Sequence, residues 1–296
     1  LITNHFRVHH KNITCSGTTT SLAHHDTHAH RLYAALMAVH NTVPICLLLI
    51  SGWTFAMHER MPVAEVCLNG KGPYRFIVDT GATASSVRPR LAAALGLSAN
   101  YRVEIVTVAG LSYAPATAKV HIETSGAQAH DVELLWVEFR GPSHIDGVLG
   151  QSFLSHFDYL INADGLHLGQ PARQRAAALQ AAPISFTLRE GRMLIPAYTA
   201  SHQHLDLIVD SAATVPVLFR TPTQFSTSTL TAVNGAIAAS AVNLPTLRVG
   251  RHWFYDVPAA VVASASSHRT EDGLLPTNLF RAIFVDNQRG QITLQP

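Results

Sequence analysis

Two stretches of this 296-residue chain, FIVDTGAT at Phe76–Thr83 and LIVDSAAT at Leu207–Thr214, repeat one plan 131 residues apart. In each, an apolar run of strand character ends on an aspartate, and a small hydroxyl residue and a second small residue follow at once. One such carboxylate could simply begin a turn, since Asp before Thr-Gly is good turn chemistry. Two at matching places in the two halves of a chain point to a pair.

The repetition extends well beyond the aspartates. The first half runs from FIVDTGAT through TVAGLSYAPA and VELLWVEF to IDGVLGQSFL and FDYLINADGLHL. The second runs from LIVDSAAT through AVNGAIAASA and YDVPAAVVA to EDGLLPTNLF and AIFVDNQRGQITL. Asp79 precedes Gly147 by 68 residues and Asp210 precedes Gly273 by 63, so order and spacing both recur, as an internal duplication requires. After Met61 the chain consists of short runs rich in Val, Ile and Thr, broken by Gly, Pro and Asn, which is an all-β texture. VAEVCLNG and YRFIVD form a predicted hairpin around NGKGP. Helices are expected only in RPRLAAALGL from Arg88, with Pro near its start and Gly96 near its end, and in PARQRAAALQAAP from Pro171. The predicted architecture is all-β: two pseudo-symmetric lobes, residues 61–170 and 183–296, a linker at 171–182, few short helices and a cleft between the lobes.

Composition removes several function classes. Charged residues make up 14% of the chain and the net charge is +2, with no dense run of Lys or Arg, so no nucleic-acid partner is expected. Arg outnumbers Lys 18 to 3, which fits a GC-rich bacterial genome better than a physical need. Cys15, Cys46 and Cys67 have no metal-ligand spacing, and Cys67 reads as a buried thiol on a strand. No nucleophile elbow, HExxH helix or phosphate loop is present. His58, His144, His156 and His204 are scattered, and Asp146 and Asp272, each before Gly at equivalent points, read as a recurring turn. Residues 1–60 form an N-terminal extension. Its 14-residue run VPICLLLISGWTFA, Val43–Ala56, is too short to span a bilayer comfortably and suits the core of a signal peptide starting at Met37. An uncleaved anchor headed by Arg31 is the alternative, and would associate the chain with a membrane; both routes imply export. The tract HHDTHAH, with His24, His25, His28 and His30, brings no scaffold for a metal, and no metal is expected.

The order apolar pair, Asp79-Thr80-Gly81-Ala82, then Asp146-Gly147-Val148-Leu149-Gly150, resembles the retropepsin-like aspartic proteases, especially bacterial members with two tandem lobes. The likeness covers Met61–Pro296. It implies pepsin-like or retropepsin-like lobes that hydrolyse peptide bonds in a peptide or protein substrate without a cofactor. By the same resemblance Asp79 and Asp210 are the catalytic pair, Thr80, Gly81 and Ser211 support the catalytic loops, and hairpins near Gly110 and Gly235 are flaps over the substrate. Val148 and Leu149 are then packing residues beneath the loop.

The chemistry asks for such a pair. Hydrolysis without a metal or a nucleophilic side chain needs a water made basic while the carbonyl oxygen receives a proton. Two aspartates about 3 Å apart cannot both ionise, so one serves as base and its protonated partner as acid. The second copy departs from the pattern: Ala212 stands where Gly81 stands and Pro276 where Gly150 stands. Ala212 is expected to thin the N–H donors around Asp210, making Asp210 the proton carrier and Asp79 the ionised base, with an acid-side pH profile. Two alternatives stay open. One is a homodimer that uses Asp79 from each chain, in place of a monomer. The other is a weak or inactive module that binds extended peptides by strand addition.

Overall fold

The computed structural model describes residues 61–108, 110–139, 142–219, 227–232, 235–263 and 269–296. The expected signal or anchor and the histidine tract lie outside them. No helix among the described residues is long and apolar enough to cross a membrane.

The first lobe opens with β1 (Val63–Leu68) and β2 (Lys71–Val78). Asn69 and Gly70 join them at φ 49° and 75°, the doubly positive turn that matches strand twist. β3 (Ser85–Val87) leads into α1 (Pro89–Leu95), which starts on Pro89 and stops where Gly96 turns left-handed at φ 69° and caps Ala92 and Ala93. β4 (Tyr101–Thr107), β5 (Gly110–Thr124), β6 (Ala127–Trp136), β7 (Gly147–Leu149) and α2 (Gln151–Leu154) complete the lobe. Then come β8 (Tyr159–Asn162), β9 (Gly165–Leu168), α3 (Gln170–Ala176) and β10 (Pro183–Ser185). The second lobe holds β11 (Thr187–Arg189), β12 (Arg192–Thr199), β13 (His204–Asp210), β14 (Val217–Phe219), β15 (Thr227–Ala232), β16 (Gly235–Val249), β17 (His252–Val262) and β18 (Gly273–Pro276). β19 (Ala282–Asp286) and β20 (Gln291–Gln295) close the chain.

Topology makes the duplication explicit. The first sheet is ordered β1-β2-β7-β3-β6-β5-β4, and the second, after the extra edge strand β11, runs β12-β13-β18-β14-β17-β16-β15. Each curls back on itself through the same contact, β1 with β5 and β12 with β16. Register agrees as well. Phe76, Ile77 and Val78 lie beside Gly147, Val148 and Leu149, as Leu207, Ile208 and Val209 lie beside Gly273, Leu274 and Leu275. The twin acids before glycine brace the strands: Asp146 accepts the Arg75 N–H at 3.1 Å, and Asp272 the Asp206 N–H at 2.8 Å. The recurring turn read from the sequence is therefore a strand brace. The fold is all-β with two pseudo-symmetric lobes.

A third sheet, ordered β10-β20-β19-β8-β9, takes β8 and β9 from before the 171–182 segment and the other three strands from after it. Tyr159 pairs with Val285 and Ile161 with Ile283. One apolar cluster runs from Val78 and Leu149 through Tyr159 and Ile283 to Val209 and Leu275. Cys67, expected as a buried thiol, is buried but is half of a disulfide. Sequence spacing carries none of the geometry a disulfide needs, so the pairing could not be read.

Candidate active site

The aspartates end the central strands β2 and β13, and each chain turns there because the carboxylate binds its own loop. Asp79 Oδ1 accepts the N–H groups of Gly81 at 2.9 Å and Ala82 at 3.0 Å. Asp210 Oδ1 accepts those of Ala212 at 2.8 Å and Ala213 at 2.9 Å. The two loops then lock together. Thr80 Oγ1 donates to the Val209 carbonyl at 2.7 Å and accepts the Ser211 N–H at 3.1 Å. Ser211 Oγ donates to the Val78 carbonyl at 2.6 Å and accepts the Thr80 N–H at 3.0 Å. Four buried bonds with two-fold symmetry thus hold the loops face to face, and the two carboxyl groups share a hydrogen bond.

Gly81 has a steric reason. A Cβ at this position would lie 2.8 Å from Asp210 Cγ and 2.9 Å from Oδ2, so a side chain there would displace the opposing carboxyl. The Ala212 methyl instead packs on the first-lobe cluster of Ile77, Phe139, Ile145 and Val148. The expectation that Ala212 thins the donors around Asp210 is wrong, because the donor is a backbone N–H that alanine also has. Pro276 is equally well placed. Gly150 donates its N–H to Ser85 Oγ at 3.1 Å, and register puts Pro216 at the position of Ser85 and Pro276 at that of Gly150. Donor and acceptor have vanished together in the second lobe, and Pro276 sits at φ −71°, where proline is relaxed.

Burial raises the pKa of both acids. For Asp79 the negative charge of Asp210 adds to it, lifting its pKa to about 8, while the hydrogen bond from Asp79 lowers that of Asp210. The raised values belong to the pair, which holds one proton between its two carboxyls at neutral pH.

A cleft of about 370 Å³ opens over the pair. Ile105 to Val108 of the β4–β5 hairpin line it from one lobe, and Val215, Leu230 and Leu274 from the other. Gly110, at φ 117°, pairs with Thr107 at the end of this hairpin, and Gly235 pairs with Ala232 at the end of the equivalent β15–β16 hairpin. Sequence reasoning missed Gln151, whose Nε2 donates to the Thr80 carbonyl at 2.9 Å beneath the loop. It also missed a charged wall in the second lobe, where Glu271 accepts from Arg192 at 2.9 Å and from Arg269 at 3.0 Å. At the equivalent register positions the first lobe has Met61 and Ile145. The stretch RTEDG, three charges before the second landmark glycine, was the available signal.

A family profile described as aspartyl protease matches residues 64–153. The match covers the first lobe and, with the fold, supports a retropepsin-like aspartyl protease family for the chain. One solved structure extends the likeness in fold, and two more are similar in part. The aspartic proteinase from Irpex lacteus is 10% identical, with 79% of this chain and 96% of that one covered at a TM-score of 0.51. The retropepsin-like aspartic protease from Rickettsia conorii is 19% identical over 39% of this chain and 90% of that one, TM-score 0.31. Basic 7S globulin from soybean is 10% identical over 79% and 93%, TM-score 0.46. No curated protein matches the chain.

Proposed function

We propose that this chain is an aspartic endopeptidase that works with one dyad per chain, Asp79 and Asp210. The observation that carries the reading is the pair of buried carboxyls sharing one hydrogen bond, each held by two backbone N–H donors. The ionised carboxyl of the pair takes a proton from a water between the two. Its protonated partner donates to the carbonyl oxygen of the scissile bond, and the water oxygen bonds to the carbonyl carbon. Collapse of the resulting diol returns a proton to the leaving nitrogen and resets the pair. The reading takes a peptide or protein substrate, laid extended in the cleft under the hairpins.

Asp79→Asn and Asp210→Asn test it. Either amide removes a proton-carrying group, so each variant should lose at least about a thousandfold in peptide cleavage while remaining folded. Full activity in Asp79→Asn would rule out the mechanism. Retained activity in Asp210→Asn from a dimeric species would transfer the reading to two copies of Asp79. Peptide binding without cleavage by the unmodified chain would leave a binding module.

A further inference from the structure

The charged wall does more than line the cleft. Arg269 lies on the segment between β17 and β18 of the second lobe, with its side chain only 7% exposed. One of its terminal nitrogens donates to Glu271, itself 1% exposed, and its guanidinium lies 4.1 Å from the centroid of the Phe219 ring. Its other terminal nitrogen crosses the cleft and donates to the carbonyl of Thr107, at the end of the first-lobe hairpin. A second contact makes the same crossing: Val108 packs against the second-lobe cluster of Val217, Phe219 and Leu230.

The first lobe also carries a cation–π contact. There Arg88, at the register position of Phe219, lies 4.1 Å from the Phe139 ring and spends its donors on Ile145 and Phe139 carbonyls of its own lobe. In the second lobe Arg269 donates to the opposite hairpin. We propose that Arg269 is a positioning residue that holds the β4–β5 hairpin shut over the aspartate pair, with Val108 as the apolar foot of the same closure. Its catalytic consequence rests on the protease reading above; the closure itself does not. A hairpin held from the far lobe excludes bulk water from the carboxyls and aligns the substrate strand, effects felt mainly in the chemical step.

Hydrogen exchange on the full chain decides it. In Arg269→Met, amides of residues 103–113 should exchange about tenfold faster, as loss of one charge-assisted bond predicts, while those of 159–168 in the shared sheet stay unchanged. Val108→Ser, at a half-buried position, should loosen the same segment and covers the case in which the arginine variant does not fold. Arg269→Lys, keeping the charge, should fall between. Unchanged exchange at 103–113 in the folded variants, or equal acceleration at 159–168, overturns the closure. Where the chain cleaves peptides, kcat should fall more than KM rises. A rise in KM alone, with exchange accelerated as expected, would keep the closure and remove its role in the chemical step. Absence of cleavage by the unmodified chain counts against the protease reading alone.

Discussion

At the scale of single residues, the pair is asymmetric in sequence and nearly symmetric in bonding. Gly81 and Ala212 present the same N–H to their aspartates, at 2.9 and 2.8 Å, so the loops do not decide which acid is charged. Burial and the charge of the opposing acid lift Asp79 to about 8, and the pair holds one proton between its carboxyls at neutral pH. Turnover needs one carboxyl of the pair protonated and the other ionised. As pH rises through the upper value of the pair the shared proton leaves and activity falls; as pH drops through the lower one the base is lost. The alkaline limb of kcat/KM should therefore lie near 8 and report the coupled pair. Ala212→Gly should leave that limb in place, because it changes no donor. A limb displaced by a full unit in this variant would show that the methyl, through its packing on Ile77 and Val148, sets the electrostatics after all.

At the scale of elements, what the sequence made legible is what local constraint writes into it. A strand ending in Asp79, the doubly positive Asn69-Gly70 turn, Pro89 and Gly96 around a helix, and the twin acids before glycine each leave a mark within a few residues. Pro276 was legible as a departure, but its meaning depends on Pro216, 60 residues away, where the hydroxyl acceptor has also gone. The lock between the loops belongs to this scale. Thr80→Val removes Oγ1 and leaves the Val209 carbonyl and the Ser211 N–H unpaired in a buried seam. It should cost about 2–4 kcal/mol in urea denaturation, whereas Thr80→Ser, which keeps the oxygen, should cost about 1 kcal/mol or less. Equal losses in the two variants would assign the cost to packing and shape, and not to the bonds.

At the scale of the molecule, the duplicated sequence invites the expectation of two units that fold apart, and the third sheet argues otherwise. No local signal marked it, because β8 and β19 read as ordinary strands and only their pairing, more than 100 residues apart, joins them. Neither half owns a complete core: Tyr159, fully buried, belongs to the first half by sequence and pairs with Val285 of the second. The Thr80–Ser211 lock ties the lobes again on the cleft side, so an opening of one lobe exposes apolar surface and unpaired groups of the other. Unfolding should therefore be a single cooperative transition. Trp136 on β6 and Trp253 on β17 report one lobe each. With Trp53 replaced by phenylalanine, and one of the other two replaced in each variant, fluorescence should give coincident urea midpoints for the two reporters. Ile161→Ala in the shared sheet should lower both midpoints together, by a destabilisation of about 2–4 kcal/mol for a buried isoleucine. If Trp136 and Trp253 report separate midpoints, or if Ile161→Ala moves only the first, the lobes fold as independent domains and the shared sheet is a late docking contact between them.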